Sequence, residues 1–337
     1  MVTNSISLIG QTNAQISQLK DLNFKFSDLQ RQLSSQKKAV DFSGLGTEAT
    51  RIQRVRASSD KAEAFIKNID STEIKINLMS DTMGKISEVA RDVMGNIQLQ
   101  TREGEIDIDA LQVIARDSLS FVMEIMNIEN NGNFLFSGSD VANAPITDTN
   151  SINVNTTNEI ANWLNGSQST TDVLNNISAF TDSQMGFSGS LNTAGNVNAR
   201  VDTNLEIDYT VIADSDGFKE IMQGLALAAN LAFPDPAVDT ATESEFHELL
   251  NETLTIVANG VEKLDSENFA LAGKFNLMNS VSERHERDQL TFDKIVDDVE
   301  NADATEIIAQ IQVLQVQLNA SYQVTSLVNQ LSLVNFL

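Results

Sequence analysis

Apolar residues recur at spacings of three, four and seven over most of this chain, and this periodicity constrains the fold more than any other feature. One apolar seam runs from Ile52 to Ile97, and another runs from Leu250 to Val299. A shorter seam is predicted at Leu111, Ile114, Phe121, Ile125 and Ile128. The sequence therefore predicts a mainly α protein built from long helices.

The two ends of the chain carry matching helical patterns. A first helix is predicted over 5–37 and a last helix over 303–335, each followed inward by a break and a longer helix. Equal lengths and apolar seams predict that the two pair in opposite directions, as a long antiparallel helical coiled-coil rod. Asp303 and Glu306 stand three apart before the last apolar run, which is a capping pattern with Asp303 at the cap.

The last 31 residues, Ile307–Leu337, contain no Asp, Glu, Lys, Arg or His, although the chain carries 47 acidic and 22 basic residues. Residues 1–19 are also uncharged. A helix with apolar and amide groups on all sides is expected where every face meets protein. We therefore expect assembly contacts at the two ends, the alternative being a tail packed in the core of a monomer. The residues assigned to those contacts are Ile9, Ile16, Leu19, Ile307, Ile311, Leu314, Leu318, Val328, Leu331, Leu333, Phe336 and Leu337.

The middle of the chain has a different composition. From Val141 to Ala213, 30 of 73 residues are Asn, Ser or Thr, which suit turns and are poor helix formers. Leu205, Ile207 and Tyr209 alternate as on one face of a strand. The segment is therefore predicted to be a small β-rich central insert.

Composition excludes several functions. A net charge of −25 argues against nucleic acid and anionic membranes as partners, and side-chain amides in the tail argue against membrane insertion. There is no cysteine, so neither disulfides nor thiol chemistry are expected. His247 and His285 lack zinc-ligand spacing and are interpreted as solvated. No catalytic residue, metal site or cofactor is predicted.

Three short motifs have plain structural interpretations. "GLGTEA" at 44–49 satisfies a dinucleotide-binding spacing, but no apolar strand precedes it, so a glycine break between helices is favoured. "DSDG" at 214–217 lacks the rest of a calcium loop and is interpreted as a helix cap. "RIQRVR" at 51–56 is either a solvated helix face or a contact with acidic residues near 297–300 of the same or a neighbouring chain.

The segment "NGNFLFSGSD" at 131–140 resembles the N-G-x-(Y/F)-L-F-S-G segment of flagellins and hook–filament junction proteins. Its matching positions are Asn131, Gly132, Phe134, Leu135, Phe136, Ser137 and Gly138. "DDVENADATEIIAQI" at 297–311 resembles the acidic segment before the family's terminal helix, and "LSLVNFL" is similar to the ending of junction proteins. "MVTNSISLIG" is closer to a flagellin beginning.

The resemblance implies a structural, non-enzymatic component of the bacterial flagellum: a hook–filament junction adapter, or alternatively the flagellin subunit. It implies an inner-tube domain at 1–40 with 303–337 and a helical rod domain at 41–140 with 214–302. A β-hairpin is expected near 133–146, and an outward-facing insert at 141–213. The implied partners are other copies in a ring, a neighbouring hook-associated protein, flagellin and a cytoplasmic export chaperone, after secretion of the unfolded chain. The alternative from another class is a secreted enzyme or binding module on a helical scaffold.

Overall fold

The computed structural model describes residues 2–103 and 107–334, and its description of side chains excludes 2–9, 11, 12, 100–103 and 328–334. The described part is mainly helical, as predicted. The helices are α1 (Val2–Ser35), α2 (Glu48–Glu103), α3 (Ile108–Met126), α4 (Ser151–Leu164), α5 (Thr170–Ser178), α6 (Asp182–Met185), α7 (Asp216–Asn230), α8 (Glu243–Glu300) and α9 (Ala304–Val334). The strands are β1 (Glu129–Asn130), β2 (Asn133–Phe134), β3 (Asn198–Asp202) and β4 (Leu205–Asp208), paired antiparallel as β1–β2 and β3–β4. The chain divides into two compact units, unit 1 at 1–63 with 286–337 and unit 2 at 64–285.

Unit 1 contains α1 and α9, which contact each other in opposite chain directions. Lys37 bridges to Asn301, and farther along the pair the amide of Asn23 donates to the hydroxyl of Tyr322 at 3.4 Å. The position in α9 therefore rises as the position in α1 falls, which is the antiparallel order expected from the sequence. Gln36, with φ of 55°, takes the left-handed conformation directly after α1.

The two long seams are confirmed for the parts that lie in unit 2. On α2, the positions Ile69, Ile76, Met83 and Ile97 are completely or almost completely buried. On α8, Leu250, Val257, Leu264, Leu271 and Met278 are buried in the same hydrophobic cluster. This cluster also includes residues of α3, α4, α5 and α7 and of the strands.

The seam predicted on α3 is confirmed at Leu111, while Ile125 and Ile128 are half-buried against the same cluster, and the prediction is wrong at its two middle positions. Ile114 and Phe121 are exposed, while the buried face consists of Leu111, Ala115, Leu119, Val122, Met123 and Met126. Both sets have helical spacing, so periodicity alone could not choose between them. Packing decides the outcome, because α3 contacts α7. Gln112 also donates to the carbonyl of Leu231, directly after α7, at 2.6 Å.

The segment from 141 to 213 is not β-rich as a whole, which corrects the prediction. It contains α4, α5 and α6, and only the β3–β4 hairpin near its end is strand. Its polar residues serve as helix caps, for example in the capping boxes that begin at Ser169 and Thr181. Within β4 and the residues after it, Ile207, Tyr209 and Val211 are buried together, as their alternation predicts.

Close backbone packing joins α7 to α8 within unit 2. A Cβ on Gly217 would lie 2.8 Å from the backbone nitrogen of Leu264, and a Cβ on Gly260 would lie 2.7 Å from that of Ile221. Since a real Cβ does not approach backbone so closely, glycine is required for this antiparallel contact. No helix in the described ranges is both long and apolar enough to cross a membrane.

Candidate assembly surface

The last helix, α9, carries one apolar seam that pairs with α1. Ile307 and Leu318 are buried, and Ile311 and Leu314 are half-buried. We call these four residues the inner seam. Opposite them, Leu19, Leu22, Phe26 and Leu29 of α1 are half-buried. Ile16, predicted to belong to this face, is 42% exposed, and Gln15 is the half-buried residue there.

A second apolar seam runs along the opposite side of α9. Its steps are three, four, four and three residues, which is again helical spacing. It consists of Val313, Val316, Ala320, Val324 and Leu327, all of them exposed. We call these five residues the outer seam. Its valines and leucine are between 49% and 69% exposed, and among the α9 side chains described, only Glu306 is charged.

A groove borders the outer seam where α9 faces α1. It has a volume of about 230 Å³ and is lined by Gln15, Gln18, Ser321 and Thr325 together with Ala320 and Val324. The side-chain carbonyl oxygen of Gln15 is buried and, among the described residues, has no hydrogen-bond partner. Burying an acceptor without a partner costs about 1–3 kcal/mol. The α1–α9 pair by itself therefore leaves the apolar side chains of the outer seam exposed and the buried oxygen of Gln15 without a hydrogen bond.

The start of α9 is fixed by its cap. One carboxylate oxygen of Asp303 accepts from the backbone nitrogens of Thr305 at 2.8 Å and Glu306 at 3.3 Å. Glu306 accepts from the side-chain amide of Gln310 at 3.0 Å, one turn later. The cap uses backbone donors that a helix N-terminus would otherwise leave unpaired.

A carboxylate in front of the cap joins three segments of unit 1. Glu300 accepts from Arg56 at 2.6 Å and from Lys37 at 3.4 Å, and its own side chain is only 12% exposed. Backbone bonds support the joint, because the nitrogen of Lys38 donates to the carbonyl of Glu300 at 2.8 Å. The nitrogen of Ala302 likewise donates to the carbonyl of Gln36 at 3.0 Å. Of the basic cluster at 51–56, Arg56 therefore meets the acidic residues of the same chain.

Several residues predicted for the assembly surface lie, wholly or in their side chains, outside the part of the chain that the structure describes. The side chains of Ile9, Val328, Leu331 and Leu333 lie outside the described side chains, and Phe336 and Leu337 lie outside the described residues. Their assembly role stays a prediction. The outer seam was not predicted, although its helical spacing is visible in the sequence. The prediction considered only the apolar positions of the inner seam, which have the same spacing on the other side of the helix.

The motif at 131–138 lies in unit 2 and has a structural role in the folded chain. Asn131 and Gly132 have φ of 54° and 77°, the combination that a type I′ turn requires, and they close the β1–β2 hairpin. This hairpin spans 129–134, so it begins before the predicted region near 133–146. Phe136 is fully buried, and its ring meets that of Phe218 edge-on with centroids 5.3 Å apart. Gly138, with φ of 60°, passes close to the carbonyl oxygen of Gly195.

The two histidines differ from each other. His247 is half-buried near the start of α8, 3.9 Å from Glu243. The interpretation of His285 as solvated is wrong: it is buried, stacks on Phe65 with ring centroids 5.3 Å apart, and its Nε2 lies 2.9 Å from the carbonyl oxygen of Val201. Since a carbonyl only accepts, Nε2 carries the proton of this bond. The ring thus fastens β3 to α8.

The start of α7 also differs from the capping interpretation of "DSDG". Ser215 precedes the helix, but its hydroxyl donates to Glu267 of α8 at 2.9 Å. Burial raises the pKa of the Glu267 carboxyl, and the nearby charge of Asp216 raises it further. Around this carboxyl is a cleft of about 440 Å³ that also contains Asp208, Asp214 and Lys274. Over 2–103 and 107–334, no group of three or more His, Cys, Asp or Glu residues is arranged to hold a metal ion.

No protein-family model matches the chain, and no curated protein matches it with statistical support. Among solved structures, a similar one is that of a protein from Vibrio parahaemolyticus, provisionally assigned as flagellar hook-associated. The two align with a TM-score of 0.54 and 12% sequence identity, over 75% of this chain and 97% of the other. At that identity, the likeness establishes that the two chains share a fold.

Proposed function

We propose that this chain is a structural subunit of the bacterial flagellum, a hook–filament junction adapter most similar to hook-associated protein 3. Copies assemble through their terminal helices, with α1 and α9 forming a coiled-coil layer that lines an inner tube. The observation that carries the proposal is the outer seam of α9, which remains exposed after α1 has covered the inner seam. The proposal assigns no reaction and no cofactor to the chain.

The outer seam favours helices of other copies as its cover. A single helix partner occupies one side of α9, and a helix that is apolar on two sides needs partners on both. Full burial of a Val or Leu side chain contributes about 1.5–3 kcal/mol, so covering four half-exposed ones contributes roughly half of that for each. Burial of the seam in an assembly therefore supplies a driving force that the lone subunit lacks.

Two further observations support the flagellar assignment, and they are independent of the seam. The first is the similarity of residues 131–138 and of the chain's last residues to the corresponding segments of junction proteins. The second is the fold shared with the protein assigned as flagellar hook-associated. The first concerns short motifs and the second concerns backbone arrangement over most of the chain.

The route to the assembly follows from the same proposal. The chain is secreted unfolded through the growing tube to the cell exterior, and a sequence without cysteine forms no disulfide that would hinder the passage. The uncharged terminal helix is the segment proposed to bind a cytoplasmic export chaperone. In place, the subunit contacts its own copies in a ring, a neighbouring hook-associated protein on one side and flagellin on the other.

The test introduces a charge into the outer seam. Val316→Glu is expected to leave the free chain folded, because Val316 is exposed in it, and to abolish incorporation into flagella of a strain that lacks the wild-type chain. Val154→Glu is the matched control, since Val154 is an exposed valine of α4 in unit 2, and it is expected to incorporate. Deletion of 303–337 is expected to leave 64–285 folded and also to abolish incorporation. Normal incorporation of Val316→Glu would overturn the proposal.

Flagellin itself is the second candidate, favoured by the opening "MVTNSISLIG". A flagellin polymerises with itself into long filaments, whereas an adapter grows only on a prior hook-associated ring. Electron microscopy of the purified chain, with and without isolated hooks, separates the two. Long filaments of this chain alone would select flagellin.

A further inference from the structure

A turn between α7 and α8 displays an exposed apolar residue. We define the Val238 turn as residues 233–239. Val238 is 81% exposed, and the turn below it is held by the nitrogens of Val238 and Asp239, which donate to the carbonyl of Asp235 at 3.0 and 2.8 Å. A third hydrogen bond closes the turn: the carboxylate of Asp239 accepts from the backbone nitrogen of Asp235 at 2.8 Å.

Both ends of the Val238 turn are anchored within unit 2. The ring of Phe233 meets that of Phe246 with centroids 5.0 Å apart, and the nitrogen of Thr240 donates to the carbonyl of Leu164 at 2.8 Å. Pro234 and Pro236 restrict the backbone between the anchors. A preorganised turn loses little conformational entropy on binding, so an apolar tip presented in this way is suited to insertion into a partner.

Unit 1 contains a partly apolar cleft that could accept an apolar side chain such as that of Val238. We define the Phe42 cleft as the space of about 400 Å³ whose apolar lining includes Val40, Phe42 and Leu45; its charged lining consists of Lys37, Asp41, Arg56 and Glu300. Val40 is 72% exposed. The guanidinium of Arg56 lies 5.3 Å from the ring centroid of Phe42, which fixes that ring as one wall. The volume is within the range of sites that bind a compact group.

The charges on the two features are complementary. Residues 220–262, which include the Val238 turn, carry eight acidic residues and no Lys or Arg. Residues 37–61, which supply all of the cleft lining except Glu300, carry six basic and three acidic residues. Hydrogen bonds from the Ser43 hydroxyl and the Gly44 nitrogen lower the pKa of Asp41, so that carboxylate stays occupied in its own turn. Opposite charges on facing surfaces favour encounter and fix register.

We propose that the Val238 turn of one copy docks into the Phe42 cleft of another copy of this chain, with Val238 against Val40 and Phe42 and with Asp235 toward Lys37 and Arg56. This inference rests on the proposed function, because it requires that identical chains assemble. The contact joins two different surfaces, and such heterologous contacts produce rings or helical arrays, whereas self-complementary contacts close as dimers. The partner is therefore a second copy, met in a head-to-tail sense.

The absence of native cysteine makes a clean cross-linking test available. Two single-cysteine proteins, Val40→Cys and Val238→Cys, are mixed at high concentration and oxidised, both free and after assembly on hooks. Both positions are exposed, so neither substitution disturbs the fold. The expected result is a disulfide-linked heterodimer in several-fold excess over the Val40→Cys mixture with Val154→Cys, an exposed valine of α4. High salt during oxidation is expected to reduce the excess, since it screens the charges.

A heterodimer yield equal to that of the control mixture, in free or assembled protein, would overturn the docking contact. Assembly is scored separately, by incorporation of the unsubstituted chain into flagella. Incorporation without the specific cross-link sinks this inference alone, and failure to incorporate sinks the proposed function. A cross-link to a protein other than this chain in isolated flagella would replace the second copy with that partner and thereby contradict the proposal.

Discussion

The two compact units use apolar residues in opposite ways. Among the described residues, the hydrophobic cluster lies within unit 2, where it includes residues of α2, α3, α7, α8 and the helices of the central segment. In unit 1 the buried apolar side chains, among those described, are Ile52, Ala62, Ile307 and Leu318. Unit 2 therefore resembles a finished domain, while unit 1 displays its apolar residues on the surface.

Charge follows the same division. Unit 2 carries 33 acidic and 11 basic residues, whereas unit 1 carries 14 and 11. A strongly acidic surface keeps a folded domain soluble and separates it from like-charged neighbours. A nearly neutral, partly apolar surface permits close approach of identical chains. Stability of the lone chain is therefore concentrated in unit 2, and the capacity for association is concentrated in unit 1.

A matched pair of leucine truncations tests the difference between the two units, and it has the largest expected effect on stability. Leu264→Ala removes a fully buried side chain from unit 2 and is expected to lower the free energy of unfolding by about 2–5 kcal/mol. Leu327→Ala, on the exposed outer seam, is expected to change it by less than about 0.5 kcal/mol. Urea denaturation followed by far-ultraviolet circular dichroism measures both. Similar losses of unfolding free energy in the two variants would show that Leu327 of unit 1 is already packed in the lone chain, as Leu264 of unit 2 is.

Alanine substitutions at two glycines of α8 test the close packing of α7 against α8 in unit 2. Gly260→Ala would place a Cβ 2.7 Å from the backbone nitrogen of Ile221, and it is expected to destabilise the protein by about 1–3 kcal/mol. Gly273→Ala is the control, because nothing lies within 4 Å of its Cβ position. It is expected to stabilise the helix by about 0.5–1 kcal/mol. Thermal unfolding of the two variants should therefore move in opposite directions, and a neutral Gly260→Ala would contradict the close contact of α7 with α8.

The contacts of Glu300 with Lys37 and Arg56 show how far unit 1 is ordered without partner chains, and they can be tested by substitution. Glu300→Gln removes the carboxylate shared by Lys37 and Arg56 and is expected to cost roughly 1 kcal/mol locally, because both cations are half-exposed. The amides of Lys38 and Ala302 should then exchange hydrogen several-fold faster, as each is bonded across the joint. Asp293→Asn, at an exposed position of α8, serves as the control. Unchanged exchange in Glu300→Gln would mean that the backbone bonds alone hold these segments.

Much of the helical framework could be predicted from the sequence, because its signals are long and local. The first helix is observed at Val2–Ser35 against a prediction of 5–37, and the last at Ala304–Val334 against 303–335. Sustained periodicity and the acid at 303 define these elements within a few residues. The antiparallel order of the two terminal helices was predicted from their equal lengths and apolar seams, whereas the coiled-coil rod and the assembly of copies stay predictions.

The failures have a common physical origin in tertiary packing. Ile114 and Phe121 have the same helical spacing as Ala115, Leu119 and Val122, and only contact with α7 selects the second set. Asn, Ser and Thr lower helix propensity on average, yet at Ser169 and Thr181 they begin helices as caps. His285 is buried against β3, whose Val201 lies 84 residues earlier in the chain. The Phe42 cleft and the Val238 turn likewise depend on residues that only the folded chain brings together.

A smaller effect on stability is expected from two acidic residues of unit 2, Glu267 and Asp172, whose pKa values are shifted in opposite directions. The pKa of Glu267 is raised by burial and then by Asp216, so its folded value lies above the unfolded one and the folded state binds the proton more readily. Stability is therefore lost as pH rises from about the ordinary value of 4.5 through the folded pKa. Glu267→Gln is expected to raise stability slightly at neutral pH, with the gain vanishing below the ordinary value, where both states are protonated.

Asp172 provides the opposite sign in the same unit. Hydrogen bonds from the Ser169 side chain and then its backbone lower the pKa of Asp172, so this carboxylate contributes stability above the ordinary value of 3.8 that is lost as pH falls through the folded pKa. Asp172→Asn is accordingly expected to lower stability at neutral pH. Urea midpoints of both variants across pH 3 to 8 measure the two signs. If Glu267→Gln instead destabilises the protein at neutral pH, the bond from Ser215 outweighs the cost of burial, and the acidic residues of unit 2 support its fold as well as its solubility.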